Sequence, residues 1–157
     1  MLTKGDDFPI RQKPSPLAEV GSSRNFYDRY FFNGYSHEDE IFFGAVLCVY
    51  PNLNIMDAAF TIAHKGVQHN VRASRILNLE RLDTVVGPIQ VKVIEPLQKL
   101  QVLVNDKDSG INVDITFDGF TEVLQEPQMY LYDGPRKTMD TCRMVQHGSW
   151  TGQIKLE

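Results

Sequence analysis

The clearest feature of the chain is a two-residue alternation of apolar and polar side chains. It is strongest over residues 111–117, where each odd-numbered residue is apolar and each even-numbered residue is Asn, Asp or Thr. Residues 56–62, 89–93 and 100–104 repeat the alternation less strictly. Because successive side chains of a strand point to opposite faces, each of these segments is predicted to be a strand with one buried face.

Residues 25–35 and 40–50 are predicted to form a hairpin, with His37, Glu38 and Asp39 at its bend. Residues 41–49 are apolar at most positions, which predicts that this strand is covered on both faces. The hairpin region holds nine of the sixteen aromatic residues of the chain: Phe26, Tyr27, Tyr30, Phe31, Phe32, Tyr35, Phe42, Phe43 and Tyr50. Such a concentration of rings can either line an apolar cavity or fill a core.

Turn residues interrupt the apolar segments about every eight to twelve positions, and no window carries an amphipathic helix of more than about two turns. We count about nine or ten strands. Closing antiparallel strands into a barrel removes their exposed edges, so the pattern predicts an all-β antiparallel barrel over residues 25–157, with a sandwich as the alternative. Residues 1–24 contain three prolines and no periodicity, and they are predicted to be an extended N-terminal arm.

Composition narrows the possible functions. The 157 residues, 42% of them hydrophobic, suffice for one domain with a substantial core. The net charge of -4 arises from interspersed acids and bases without a basic stripe, so nucleic-acid binding is not predicted. The first ten residues lack an apolar run, so neither a signal peptide nor a membrane span is predicted and we expect a cytoplasmic location. Cys48 and Cys142 are expected to be reduced thiols, although spacing leaves a bridge open.

Signatures of metal and nucleophilic chemistry are missing from the sequence. His64 and His69 lie five residues apart, and no His-x-His, Cys-x-x-Cys or His-Glu-x-x-His spacing occurs, so we predict no metal. No cofactor is predicted either, because glycine-rich phosphate loops are lacking. Cys48 follows Ala45, Val46 and Leu47, an apolar setting that keeps a thiol unreactive.

Three polar residues are candidates for catalysis. Asp57, between Met56 and Ala58, is an acid among apolar residues, where desolvation raises a carboxyl pKa and suits a proton donor to a carbon–carbon double bond. Asp28 in the aromatic hairpin is the other candidate acid. His69 belongs to residues 68–75, which are polar on both faces, so a charged group enters the barrel whichever face is inward. The alternative is that these carboxyls are structural or solvent-facing, and that residues 68–75 present an outward polar face.

Residues 27–35 (YDRYFFNGY), with Phe42, Phe43 and Gly44 after the bend, resemble the opening hairpin of the lipocalin-like carotenoid hydratase superfamily. That group includes hydroxyneurosporene synthases and fungal decalin-forming Diels-Alderases. Residues 56–60 and 66–75 resemble more closely uncharacterised bacterial proteins similar to that group. The resemblance implies a lipocalin-like (calycin) barrel, and, because such proteins usually have two lobes, an isolated N-terminal lobe. It carries over no catalytic residue.

These observations lead to three functional hypotheses. The first is binding of a hydrophobic small molecule of isoprenoid, steroid or polyketide type, with ligand contacts from Tyr27, Tyr30, Phe32, Phe43, Phe60 and Arg72. The second is a hydratase, cyclase or isomerase that acts on such a ligand by proton transfer, with Asp28 or Asp57 as the acid and His69 or an arginine as an orienting group. The third is a structural lobe whose aromatics fill the barrel and whose last strand, residues 150–156, pairs with a second lobe or with another copy.

Overall fold

The computed structural model describes residues 2–8, 24–36 and 38–156. Its only helical segment in these residues is the short 3-10 helix Lys4–Asp7. Thirteen strands follow: β1 (Asp28–Ser36), β2 (Ile41–Tyr50), β3 (Ile55–His64), β4 (Val67–Ile76), β5 (Val85–Val86), β6 (Ile89–Glu95), β7 (Lys99–Asp106), β8 (Ile111–Gly119), β9 (Leu124–Gln125), β10 (Met129–Asp133), β11 (Arg136–Thr141), β12 (Met144–Val145) and β13 (Gly148–Leu156). The all-β prediction is therefore confirmed.

The predicted N-terminal arm is described only in part. Residues 9–23, which include the three prolines of the arm, lie outside the described residues, and so does His37 at the predicted bend. Residues 4–7 form one turn of 3-10 helix, which the expectation of a purely extended arm did not include. The turn is capped by Asp6, whose Oδ2 accepts hydrogen bonds from the Thr3 backbone N–H at 2.6 Å and the Thr3 hydroxyl at 2.9 Å.

The first sheet has the order β1–β2–β3–β4, and each neighbouring pair is antiparallel. Its inner face is built from residues that alternate along each strand and align across strands. Leu47 of β2, for example, lies between Tyr30 of β1 and Ala58 of β3. The even-numbered residues 56–62 of β3 are all buried, which confirms the apolar row predicted there.

The second sheet has the order β13–β8–β7–β6–β5 and is also antiparallel. The four apolar residues of the strictest alternation, Ile111, Val113, Ile115 and Phe117, are all buried in β8, as predicted. The last strand, β13, pairs with β8 along its whole length, from Gly148 opposite Gly119 to Leu156 opposite Ile111.

The inner faces of the two sheets pack into one hydrophobic core. Phe60, Leu47 and Met56 are the largest fully buried side chains from the first sheet, and Ile89 and Ile111 are the largest from the second. Within the described residues, neither sheet closes on itself through backbone pairing, so the predicted barrel is not confirmed by the strand pairing. Removing this apolar area from water is the main favourable term in forming the fold.

The chain between β8 and β13 adds two small two-stranded sheets. One pairs β9 with β12, and the other is the hairpin of β10 and β11. All five residues of β10 and the first five of β11 are exposed. The two cysteines are free thiols, with Cys48 buried in β2 and Cys142 half-buried after β11, in line with the expected reduced state.

Candidate functional site

The main cavity lies under β1, at one end of the core, and has a volume of about 610 Å³. One side is the inner face of β1, and the opposite side comes from residues 140–147 and β13. The N-terminal residues 2 and 6–8 also line it. Its aromatic and aliphatic lining comprises Leu2, Phe8, Phe26, Tyr27, Tyr30, Phe31, Phe32, Leu47, Val49, Leu100, Phe117, Val123, Met144, Val145 and Trp150.

Strand register decides which β1 side chains reach this cavity. Asp28, Tyr30 and Phe32 lie opposite Val49, Leu47 and Ala45 of β2, all of which are buried. Because directly paired residues of an antiparallel sheet share a face, these three β1 side chains point to the interior. The intervening Arg29 and Phe31 lie on the other face of β1 and are exposed, but they also border the cavity at this edge strand. The Arg29 guanidinium carbon lies 5.8 Å from the centre of the Phe31 ring.

The aromatic wall of the cavity is a chain of packed rings. Tyr30 and Phe32 are stacked with ring centres 5.8 Å apart, and Phe32 meets Trp150 edge-to-face, also at 5.8 Å. Trp150 also contacts the Phe117 ring at 5.2 Å and donates a hydrogen bond from Nε1 to the Asn33 carbonyl oxygen at 3.1 Å. These contacts fix the rings in place, so this part of the cavity is formed before any ligand enters.

The N-terminal segment is held against the cavity by two hydrogen bonds at Asp7. The Tyr30 hydroxyl donates to the Asp7 carbonyl oxygen, and the Leu97 backbone N–H donates to the Asp7 carboxylate. Asp7 is buried, and desolvation raises the pKa of its carboxyl despite the hydrogen bond from Leu97. Burial likewise raises the pKa of the Tyr30 hydroxyl, so Tyr30 stays a neutral hydrogen-bond donor.

Asp28 is the acid of the cavity with the most strongly altered proton affinity. The pKa of its carboxyl is raised to about 6, chiefly by desolvation and also by the charge of Asp6. The Arg29 backbone N–H, which donates to Asp28 Oδ1 at 2.8 Å, and the charge of Arg81 act in the opposite direction. Near neutral pH the carboxyl exchanges its proton readily, as a general acid or base must.

This raised pKa makes stability depend on pH. The folded state binds the Asp28 proton more tightly than the unfolded chain, whose carboxyl has the ordinary pKa of 3.8. The stabilising contribution of the neutral carboxyl is therefore fully present below that pKa and is lost as the pH rises through about 6. The Asp28→Asn side chain stays neutral. We therefore expect this variant to have a free energy of unfolding about 1–3 kcal/mol higher than that of the wild type at neutral pH.

Urea unfolding across the acid-to-neutral range measures this effect. The Asp28→Asn variant and the wild type should have equal stability near the ordinary carboxyl pKa and diverge above it. The matched control is Asp108→Asn in the exposed turn between β7 and β8, which should follow the wild-type curve throughout. A constant offset between Asp28→Asn and wild type at every pH would show that the substitution acts through packing and that the proton plays no part.

Four of the nine candidate residues line this cavity, namely Tyr27, Asp28, Tyr30 and Phe32. Tyr27 contributes from the rim, where its ring packs on Tyr50 with centres 5.9 Å apart. Phe43 and Phe60 are instead buried in the core, stacked on each other at 5.9 Å, and do not line the cavity.

The other three candidates lie away from the cavity. Asp57 pairs with Cys48 and Ser74 on the outer face of the first sheet, because its neighbours Met56 and Ala58 take the inner positions. Arg72 is exposed on the same outer face, between the inward-facing Val71 and Ala73. These placements correct the expectation that Asp57 and Arg72 act inside the fold. His69 does face inward, opposite Ile62, but it lines none of the cavity.

Sequence reasoning did not find several residues of the cavity. Asp7 belonged to the predicted N-terminal arm without a specific role, and no site role was predicted for residues 140–147. Gln146 holds this segment in place by donating hydrogen bonds from Nε2 to the carbonyl oxygens of Leu97 at 3.0 Å and Thr121 at 2.8 Å. Trp150 offered a detectable signal, because it is the only tryptophan of the chain and large rings often fill or line a core.

The described part of the chain contains no group of three or more His, Cys, Asp or Glu side chains arranged to hold a metal ion. Nor does any helix in those residues have the length and apolar character needed to cross a membrane. Besides its aromatic and aliphatic lining, the cavity is bordered by charged and polar residues that include Asp6, Asp28, Arg143 and His147. The raised pKa of Asp28 suits proton exchange near neutral pH.

Comparison with known families places this geometry in context. A family of unknown function, DUF8625, matches residues 2–157, which include the N-terminal segment, the cavity and both large sheets. The chain belongs to the DUF8625 family. No curated protein and no solved structure matches the chain. The cavity thus provides the most direct basis for a functional proposal for this DUF8625 protein.

Proposed function

We propose that this DUF8625 protein binds a hydrophobic small molecule of isoprenoid, steroid or polyketide type in the cavity under β1. The observation that carries the proposal is the aromatic-walled cavity of about 610 Å³. Small-molecule sites commonly enclose about 300–1,000 Å³ and combine apolar walls with a few polar groups. Here Tyr30, Phe32 and Trp150 supply aromatic surface, and Asp28 is the polar group best placed to receive a hydroxyl of the ligand.

The binding free energy would come mainly from apolar surface removed from water, at about 25 cal/mol per Å². The packed rings support this because they lose little conformational freedom when a ligand enters. A hydroxyl that donates to Asp28 would add orientation, and the proton on Asp28 would tune that contact near neutral pH. Affinity should therefore vary gradually with ligand size and more sharply with the position of a polar group.

Binding can be tested with the fluorescent apolar probe N-phenyl-1-naphthylamine. Val145 lines the cavity and is partly exposed, so Val145→Trp should place an indole ring in part of the cavity without disturbing the core. We expect this variant to bind the probe at least about tenfold more weakly than the wild type, because an indole ring occupies the volume. The matched control is Val67→Trp, at an exposed position outside the cavity lining, which should bind as the wild type does.

Native mass spectrometry of the purified chain beside its denatured mass gives independent evidence. A retained apolar adduct, lost in Val145→Trp and kept in Val67→Trp, would identify the natural ligand class. Equal probe binding by the two tryptophan variants would contradict the proposal, because the probe would then bind elsewhere.

A lipocalin-like closure of the two sheets is part of this proposal. The two sheets are separate, but each follows chain order, β1 to β4 in the first and β5 to β8 and then β13 in the second. Side chains link the sheets at both junctions, between β1 and β13 and between β4 and β5. Trp150 of β13 donates a hydrogen bond from Nε1 to the Asn33 carbonyl oxygen of β1. Arg75 of β4 donates one from Nε to the Val85 carbonyl oxygen of β5 at 2.7 Å. This arrangement supports the likeness to the carotenoid hydratase superfamily suggested by the hairpin sequence. Nuclear Overhauser contacts between backbone amides of β1 and β13 are expected if the two sheets close. Their absence would indicate an open sandwich instead.

The position and raised pKa of Asp28 favour a second candidate function. In it, the protein acts as a hydratase, cyclase or isomerase that protonates a double bond of the ligand. A carboxyl with a pKa of about 6 inside an aromatic cavity is suited to that step. The test is conversion of the ligand recovered by native mass spectrometry. Asp28→Asn should abolish conversion and retain affinity, whereas Asp57→Asn on the outer face should convert normally. Full conversion of the ligand by Asp28→Asn would show that Asp28 is not the proton donor.

A further inference from the structure

The N-terminal segment, residues 2–8, forms part of the wall of the cavity under β1 but contributes no strand to any sheet. Four of its residues line the cavity: Leu2, Asp6, Asp7 and Phe8. Within the segment, the Asp6 N–H donates to the Thr3 carbonyl oxygen at 2.9 Å. The Phe8 N–H donates to the Gly5 carbonyl oxygen at 3.2 Å. Because both bonds are internal, the turn can move as one unit without losing them.

Asp7 connects this segment to both large sheets. Its carbonyl oxygen accepts a hydrogen bond from the Tyr30 hydroxyl of β1. Its carboxylate accepts one from the backbone N–H of Leu97, in the turn between β6 and β7. The Leu97 carbonyl oxygen accepts a further bond from Gln146 Nε2 at 3.0 Å, and Gln146 belongs to the opposite wall of the cavity. Release of Asp7 would therefore free the segment from both sheets at once.

The segment is less firmly built into the fold than the strands that form the other walls. β1 is paired with β2, and β13 with β8, along their whole lengths. The segment has no such pairing, and Asp7 is only 4% exposed, so its carboxyl is held out of water at a cost that its hydrogen bonds must offset. Local opening takes place in elements that are held in this way, while the strands stay closed.

A second cavity, of about 440 Å³, adjoins the first and is lined by Leu2, Val123 and residues 97–98 and 119–122. Residues 120–122 are exposed, so this cavity faces solvent. Leu2 and Val123 line both spaces, which places the N-terminal segment at the partition between them. Movement of the segment away from Leu97 would take Leu2 out of this partition and connect the aromatic cavity with solvent.

We propose that the N-terminal segment is a gate that opens at Asp7 to admit the hydrophobic ligand and closes again beside it. The proposal rests on the proposed function, because the gate serves the cavity under β1. In the closed position the segment helps to keep the apolar surface of the ligand away from water. Exchange of the ligand is then limited by the fraction of molecules in which the segment is open.

Stopped-flow fluorescence with N-phenyl-1-naphthylamine tests the gate. Asp7→Ala removes the acceptor for the Leu97 N–H and raises the open fraction. We expect its association and dissociation rate constants both to rise about tenfold, with Kd within about twofold of the wild type, because the probe passes only through the open state. Asp7→Asn keeps an oxygen that can accept from Leu97 and should exchange the probe nearly as the wild type does. The matched control, Asp108→Ala in an exposed turn, should also behave as the wild type.

The two rate constants together distinguish a gate from a fixed wall. Faster dissociation with unchanged association in Asp7→Ala would overturn the gate, because the segment would then only contact the bound probe. Unchanged values of both would also overturn it, since the probe would enter by another route. Probe binding that Val145→Trp does not weaken would instead contradict the proposed function, and the gate with it.

Hydrogen exchange at single amides of the wild type tests the opening without a ligand. The Leu97 N–H donates to Asp7, whereas the Gln98 N–H donates within the same turn to the Glu95 carbonyl oxygen at 3.0 Å. If the segment opens while the turn stays formed, Leu97 should be at least about tenfold less protected than Gln98. Equal protection of the two amides would overturn the gate. This comparison needs no substitution, so it decides the question even if Asp7→Ala does not fold.

Discussion

Replacing Phe60 with alanine is expected to lower the free energy of unfolding by about 3–5 kcal/mol. Phe60 is only 1% exposed, at the centre of β3, and its ring stacks on Phe43. Its neighbours across the sheet, Ala45 and Val71, are small inward-facing residues that cannot extend into the space left by the ring. The variant therefore loses both the transfer free energy of the ring and the contacts around the cavity that remains.

Urea unfolding followed by circular dichroism measures this loss. Phe120→Ala removes the same ring from a position that is 73% exposed, and it should change the free energy by no more than about 0.5 kcal/mol. A loss below about 1 kcal/mol in Phe60→Ala would contradict the packed core at β3, because it would mean that water already reaches this ring.

Replacing Gly152 with alanine is the second substitution expected to have a large effect, about 3–5 kcal/mol, from backbone strain and overpacking together. Gly152 has φ of 134°, a conformation that residues with a side chain rarely adopt. A Cβ atom there would lie 2.1 Å from the Asp114 carbonyl oxygen and 2.9 Å from the Ile115 Cα atom. Both atoms belong to the backbone of β8, so relief of the clash requires β13 to move away from its partner strand.

Gly134→Ala separates strain from clash in this experiment. Gly134 also has positive φ, of 57°, but an added Cβ would meet nothing within 4 Å. The Gly134→Ala substitution should lower the free energy of unfolding by only about 1–2 kcal/mol. Thermal unfolding compares the two variants, and hydrogen exchange shows where the structure opens. We expect faster exchange in β13 and at Trp150 in Gly152→Ala alone. Equal losses in the two variants would show that β8 and β13 are not in close contact at this point.

The sequence predicted residues of the candidate site only where those residues belong to a single strand. Asp28, Tyr30 and Phe32, which the sequence offered as candidates, alternate along β1 and line the cavity together. Asp57 lies on the opposite face, because the buried row from Met56 to Ile62 takes the inner positions, although desolvation does raise the pKa of its carboxyl. Arg72 had no comparably strong row beside it, so the face it takes depended on pairing with β3.

The remaining parts of the site depend on contacts between distant segments. Asp7 accepts a hydrogen bond from Leu97, ninety residues later in the chain, and Trp150 donates one to Asn33. No local pattern encodes such pairs, because each is set by how two separately formed elements meet. Asp28 shows the same dependence: its acidity in the folded protein reflects the apolar walls and charges gathered around it, which the sequence neighbours alone do not supply.

The sequence by itself determined the all-β class, most long strands and the buried faces of β3, β7 and β8, because strand periodicity is local and each apolar row must leave water. Tertiary structure alone decided how the two sheets meet, which end of the core stays open as a cavity, and which surfaces remain uncovered. Those outcomes depend on the register and twist of strands far apart in the chain, where a shift of one residue exchanges inner and outer faces.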